Sequence, residues 1–301
     1  MSPRLIAAIA LVGCGSSAPE PAGHVCLDLE AGTFEPLSPP TRAFGLGLTY
    51  ADHLRETGQS ATERPPVFAK AWSPTTATVS IPSAEAQVAA LEGTEPGLSA
   101  AVVNQDLDLV SLVDYEAELG VVLLADYRPG DVPELGYFVA NDLSERAHAV
   151  LGEGQEGRYA YWGDSKGHPG FLPTTSQFWR PDAPAADGIP CVTLETRVNG
   201  EVRQSQSTAD LVYPMSALLD AVVAETGAPL EAGSWVLTGT PSGVALATPA
   251  WKVALADLVG MDRFARLGVV LGRADDFLAA GDVVEVSATP LGSVSVTMSG
   301  S

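Results

Sequence analysis

Positive charge is what this sequence has least of. It carries 16 lysines and arginines against 37 aspartates and glutamates, a formal net charge of −21. A surface of that sign repels phosphate backbones and excludes nucleic acid as a partner. Cysteine is scarce too, with 3 in the chain and no CxxC or Cys/His cluster, so no zinc site is indicated. No repeat of solenoid length and no heptad pattern occurs, which removes solenoids and coiled coils. The apolar run Leu5–Val12 is too short to cross a bilayer as a helix. The acidity itself is read first as solubility.

What is present points to a loop-rich, sheet-heavy protein. Hydrophobic residues make up 46% of the 301 positions, enough for a real core, and the 30 glycines and 23 prolines argue against a helical bundle. The start reads separately. Arg4, the apolar run and Gly13-Cys14 follow the charged-then-apolar order of a secretory signal over residues 1–13. "LVGC" resembles a bacterial lipobox, which implies lipidation of Cys14 and a lipid-anchored place in the cell envelope as the one membrane contact. The alternative is a cytoplasmic protein whose first residues happen to look like a signal. Residues 14–40, rich in Pro, Gly and Ser, suit a tether and irregular entry. No long linker divides the remainder, so residues 41–301 form one catalytic-sized domain. In an exported protein Cys26 and Cys191 could pair; two unrelated thiols are the other reading.

Strand-like runs occupy 109–124, 135–140, 191–198, 234–238 and 282–287. Asn199-Gly200 marks a hairpin. Residues 208–227 alternate at helical spacing, with Gly227 as a stop, and 41–58 reads as a short strand and then a short helix, with Asp52 as a cap and Gly58 as its end. Residues 83–105 are Ala- and Glu-rich with weak periodicity, and 246–277 reads as a helical insertion.

Several constellations carry possible chemistry. Glu116 and Glu118 lie two apart on a strand and so face one side. Like charges there repel, and a divalent cation relieves them; hard carboxylate oxygens suit Mg²⁺, Mn²⁺ or Ca²⁺. A solvated strand face is the plainer explanation. Asp142 ends an apolar strand and offers a third carboxylate, or merely caps a turn. His53 and Glu56 share a helix face, so the carboxylate can fix the imidazole's tautomer and let it take a proton from water; a surface ion pair is the commoner case. "LTGTPSGVA" allows close backbone approach to a ligand, with Thr238 and Thr240 as hydroxyl donors. Lys166 lies in a Gly/Pro-rich loop.

Taken in order, "TYADHLRE", "KA", "YEAEL", "ANDLSER", "SKG", "VNGEVRQ", "TGTPSGV" and "GDVVE" resemble the motif series of the fumarylacetoacetate hydrolase family over about residues 43–298. The resemblance implies a mixed, mainly β fold, a β-roll or barrel-like body with short flanking helices, usually as a homodimer. It implies metal ligation by Glu116, Glu118 and Asp142, with Lys166 beside the substrate oxygens and Thr240 at the substrate carboxylate. Tyr50 and Arg146 match positions near the site, and His53 with Glu56 match a lid that orders over substrate. The implied reaction is metal-dependent hydrolysis of a C–C bond in an acylpyruvate- or fumarylacetoacetate-like 2-oxo acid, through a metal-stabilised enolate and a His–Glu-activated water. The same scaffold supports oxaloacetate-type decarboxylation and hydration or isomerisation of 2-oxo-4-enoates, and a non-catalytic binding lipoprotein is a third reading. Ala71 stands where the family has proline, and His168 and Pro169 depart from its pattern beside Lys166, which bears on the substrate.

Overall fold

The computed structural model describes residues 20–57, 59–247, 256 and 259–300. The signal segment 1–13, Cys14, Gly58 and part of the 246–277 insertion lie outside the described residues. Two sheets form the body. The larger has seven strands, in the order Gly32–Pro36, Gln177–Pro181, Leu135–Asn141, Ala117–Leu123, Trp235–Leu237, Ala43–Leu46 and Val67–Ala69. The smaller has five, ordered Glu201–Ser207, Thr193–Val198, Val283–Ala288, Gly292–Ser299 and Thr78–Ser80. Each sheet is mainly antiparallel with one parallel pair. Seven α-helices accompany them among the described residues. Neither sheet closes on itself, so the mainly β expectation holds and a closed barrel is not what the strands form.

The central strand Ala117–Leu123 is buried on both faces, which is why it reads as an apolar run. Its odd positions, Ala117, Leu119, Val121 and Leu123, enter the main core beside Trp179, Val236 and the helix Met215–Thr226. On the even face Val122 joins Phe138, Phe178 and Trp235. Gly120 on that face leaves room for the Phe138 ring to lie across the strand. Glu118 shares this even face, at the end of the strand away from Val122.

Helix stops follow the sequence. Gly227 adopts φ 65° and donates its N–H to Val223 O, ending Met215–Thr226 as a left-handed cap. Asn199 and Gly200, both at positive φ, turn Thr193–Val198 back into Glu201–Ser207 as the Asn-Gly pair requires. Asp52 is a correction: it sits inside the helix Ala51–Thr57 and pairs with Arg55 one turn on, rather than capping the start. Segment 83–105 forms the helices Ala84–Thr94 and Leu98–Val103, and the insertion supplies Arg263–Leu271. Leu91, Leu98, Val102, Leu267 and Val270 from the three helices join one apolar cluster with Val198, Val284, Val296 and Met298 of the five-stranded sheet.

Cys26 and Cys191 are joined by a disulfide with Cα atoms 5.2 Å apart. Adjacent pairing explains the approach, because Val25–Cys26 lies parallel to Gly188–Ile189, two residues before Cys191.

Candidate active site

Strand register assembles the acids. Leu135–Asn141 runs antiparallel to Ala117–Leu123 with Ala117 opposite Asn141. The next residue on each chain is then Glu116 and Asp142, and Asp142 N–H donates to Glu116 O at 2.8 Å. The pairing continues as Asp114 against Ser144 and Val113 against Glu145, which places Arg146 over Asp114. On the other side Trp235–Leu237 delivers Thr238-Gly239-Thr240 to the same strand end. Gly239 N–H donates to Glu118 Oε2 at 2.7 Å, and Thr240 Oγ1 donates to Ala117 O at 3.1 Å. Glu116, Glu118 and Asp142 each offer one oxygen, all within 4.8 Å of one another, and all three residues are buried.

Three cations answer them. Lys166 Nζ donates to Glu116 Oε2 at 2.5 Å and to Asp142 Oδ2 at 2.6 Å. Arg146 spans Asp114 Oδ2, at 2.9 Å from Nε, and Glu116 Oε1. Lys70 Nζ lies 2.6 Å from Asp142 Oδ1 and donates to the carbonyls of Lys166 and Phe171, fastening both ends of the loop that carries Lys166. Burial would raise the Glu116 carboxyl, but Lys166 and Arg146 outweigh it and hold Glu116 at about 2. Burial would lower the Lys166 ammonium, and Asp142 and Glu116 reverse that and raise it. Lys70 is lowered, by burial, with Asp142 in partial opposition.

Glu118 is different. Burial pushes its carboxyl well above the usual range, and the negative charges of Asp142 and Glu116 add to the push. It accepts the Gly239 N–H and has no ion pair among the described residues. A buried carboxylate lacking a cation, beside two others within 4.8 Å, fits a hard divalent ion.

A cleft of about 120 Å³ opens above the acids, and His53, Glu116, Arg146, Lys166 and Thr240 line it. His53 Nδ1 lies 3.4 Å from Glu56 Oε2. Both Glu56 oxygens accept the Gly243 N–H at 3.1 Å, so the helix Ala51–Thr57 docks on the "TGTPSGV" loop. The structure thus gathers His53, Glu116, Lys166, Arg146 and Thr240 around one cleft, with Glu118 and Asp142 beneath. Tyr50 lies behind: it is fully buried, is absent from the cleft wall, and its phenol is raised by burial and by Glu118. Leu246, from the start of the insertion, also lines the cleft, whereas the 83–105 helices do not.

Three functional positions have no role in the sequence reading. Lys70 is visible there only as the first letter of "KA". Gln204, the last letter of "VNGEVRQ", bridges the sheets: its Oε1 accepts the Ala117 N–H at 2.9 Å and its Nε2 donates to Thr240 Oγ1 at 2.9 Å. Asp114 accepts the N–H groups of Ala245 and Leu246 as well as Arg146. The motif letters are the one available signal for Lys70 and Gln204.

His148 and His168 flank this region. Burial lowers both to about 4, and Lys70 contributes for His168. A histidine lowered on folding stabilises the fold above the unfolded pKa near 6.5 and loses that contribution as pH falls towards 4. For His148, whose Nε2 lies 2.8 Å from Thr94 Oγ1, the contribution is on the order of 2–3 kcal/mol. The gap in melting temperature between wild type and His148→Asn should therefore shrink between pH 7 and pH 4. An unchanged gap would contradict the assignment.

The model of the family described as fumarylacetoacetate (FAA) hydrolase C-terminal matches residues 42–299. The chain belongs to the fumarylacetoacetate hydrolase family. Among relatives, it is 31% identical over 233 residues to the 4-hydroxyphenylacetate degradation bifunctional isomerase/decarboxylase of Salmonella dublin, covering 76% of this chain and 47% of that protein. The chain therefore spans about half the length of that relative. It is 28% identical over 224 residues to a mitochondrial oxaloacetate tautomerase of Oryza sativa subsp. japonica, covering 72% and 86% of the two chains. The solved fumarylpyruvate hydrolase of Pseudomonas aeruginosa, in complex with Mn²⁺ and pyruvate, superposes with a TM-score of 0.55 over 95% of this chain and 97% of that one. At 19% identity that likeness concerns the fold. The protein is an enzyme of this family, which includes hydrolases, isomerases and decarboxylases.

Proposed function

We propose that this enzyme hydrolyses a carbon–carbon bond in an acylpyruvate-type 2-oxo acid, a linkage like that of fumarylacetoacetate, with a divalent metal held by Glu116, Glu118 and Asp142. The observation that carries the reading is the convergence of a buried three-carboxylate centre and a His–Glu pair on one small cleft. When bound, Mg²⁺ or Mn²⁺, with Ca²⁺ as a third candidate, supplies Lewis-acid polarisation of the 2-oxo acid. The chain's own residues do the rest. Glu56 faces Nδ1 of His53, which fixes the proton there and leaves Nε2 to take one from water. The resulting hydroxide adds to the acyl carbonyl. The bond between that carbon and the pyruvate methylene then breaks, and its electron pair passes to the pyruvate enolate. The enolate is protonated to pyruvate while the acyl group leaves as a carboxylic acid. Lys166, raised by its carboxylates, stays an ammonium and offsets negative charge as it develops. Lys70 and Arg146 keep the acids and the Lys166 loop in place.

A second reading is oxaloacetate tautomerisation or decarboxylation, favoured by the rice relative, which this chain covers over 86% of its length. Pyruvate release separates hydrolysis from decarboxylation, and tautomerisation, which releases none, is read as a change in the enol absorbance of oxaloacetate. Acetylpyruvate, fumarylpyruvate and oxaloacetate are each incubated with the purified protein and Mg²⁺ or Mn²⁺, with and without chelator. Chelator-sensitive pyruvate together with equimolar acetate from acetylpyruvate is the expected result. Pyruvate from oxaloacetate alone supports the second reading, and turnover that survives chelation defeats both.

The lipid-anchored envelope location and the homodimer are part of the same proposal. The Cys26–Cys191 disulfide supports export, since such bonds persist in oxidising compartments. The lipobox resemblance supports anchorage at Cys14, and the family resemblance supports the dimer.

A further inference from the structure

The two ends of the cleft differ in chemistry. The inner end holds the charges. Outward from Lys166 one wall is hydrocarbon. Lys166 Nζ lies 5.6 Å from the centre of the Phe68 ring, and Phe68 meets Trp162 edge to face with centroids 6.2 Å apart. Leu48, Val150, Val244 and Leu246 continue the lining. Trp162 is held from several sides. Its indole lies against the backbone of Gly47, where a Cβ would come 2.5 Å from Cζ3. The Tyr159 ring meets it edge-on at 5.2 Å, and the Arg158 guanidinium stands 5.8 Å from it.

A fixed apolar wall favours a hydrocarbon tail and penalises a carboxylate that must shed water to sit on it. Glu153, also on the cleft lining, lies 3.8 Å from the Arg158 guanidinium, so the two charges beside this wall are paired with each other. Among the described residues, the cations on the lining are Lys166 and Arg146, and both are bound to Glu116.

We infer that the substrate is a monocarboxylic acylpyruvate with a short neutral hydrocarbon tail, and that Trp162 is the residue that selects it. This rests on the acylpyruvate reading above and goes beyond it to the tail. The cleft, about 120 Å³ in all, must hold the 2-oxo acid head as well, which keeps the tail short. Trp162 acts on specificity, since it faces the tail rather than the bond that breaks.

The test compares kcat and KM of the metal-loaded full chain on acetylpyruvate, 2,4-dioxoheptanoate and fumarylpyruvate. The expected kcat/KM for 2,4-dioxoheptanoate exceeds that for fumarylpyruvate by roughly tenfold or more, as does its margin over acetylpyruvate, which lacks two methylenes. Trp162→Ala should bring the margin over acetylpyruvate towards onefold, through KM. Trp162→Phe should restore most of it, and if the alanine variant does not fold, Trp162→Gln, which keeps bulk but makes the wall polar, should likewise cut the margin and decides the matter. Fumarylpyruvate used as well as 2,4-dioxoheptanoate, or a margin untouched by either substitution, overturns the tail assignment alone. Absence of pyruvate from all three overturns the acylpyruvate reading and the tail assignment with it.

Discussion

Glu118→Gln should abolish pyruvate release and divalent-ion binding together. The glutamine keeps the size of the side chain, and its Oε1 can still accept the Gly239 N–H that Glu118 Oε2 accepts at 2.7 Å. What it removes is the one carboxylate of the three that has no ion pair among the described residues. Burial and two neighbouring negative charges already oppose ionisation there, so neutralising the group should not unfold the protein and should raise the stability of the ion-free form. Ion affinity should fall at least about a hundredfold, since even residues that merely orient ligands are worth ten- to a hundredfold. Titration calorimetry with Mn²⁺ checks this, alongside a melting curve without metal. Unchanged Mn²⁺ affinity would falsify the placement of the ion. Glu116→Gln is a poorer test, because it also strips a partner from Lys166 and from Arg146, both buried, and so damages the fold.

The second large effect is expected at His53. His53→Ala should lower kcat on acetylpyruvate by about 10²–10⁴, the range of general-base catalysis, with Mn²⁺ affinity and melting temperature near wild type. The side chain belongs to a seven-residue helix, lines the cleft rather than an apolar core cluster, and pairs, among the described residues, only with Glu56, so its removal leaves the core untouched. Glu56→Gln should cost less in rate but should also loosen the helix, because both Glu56 oxygens take the Gly243 N–H. Single-turnover kinetics with a solvent-deuterium comparison reads the proton transfer directly. Turnover that survives His53→Ala would point to a reaction driven by the metal and lysine alone, as in decarboxylation, and would favour the second reading.

Local pattern exposed a good part of this. The strands 117–123, 135–141, 193–198, 235–237 and 283–288 fall within or near the apolar runs, because strand burial in this fold is continuous and turn residues bound each run. The acid pair was legible as parity, although Glu116 lies just outside the strand and holds its direction through the Asn141 Oδ1 bond to its N–H. The motif series then joined Asp142, Lys166 and Thr240 to that pair. Other roles were not legible, for a common physical reason. Lys70 acts on a carbonyl 96 residues away, Gln204 reaches Ala117 across two sheets, and Asp114 anchors a loop 131 residues later. Such contacts depend on how sheets stack, and local periodicity has no term for that. The apolar cleft wall was hidden likewise, since Phe68 and Trp162 come from separate elements and meet only after folding.

The covalent link between Cys26 and Cys191 sets how force would travel through the molecule. His53, Glu116, Glu118, Asp142 and Lys166 all lie between its two ends in sequence. A pull at Cys26 is shared between the backbone running on to Leu27 and the sulfur bridge, so part of it enters the strand region at Cys191 directly. The bridge keeps the two cysteine-bearing segments together even when the short pairing of Val25–Cys26 with Gly188–Ile189 opens, so the long stretch of chain that carries the site stays closed at its base.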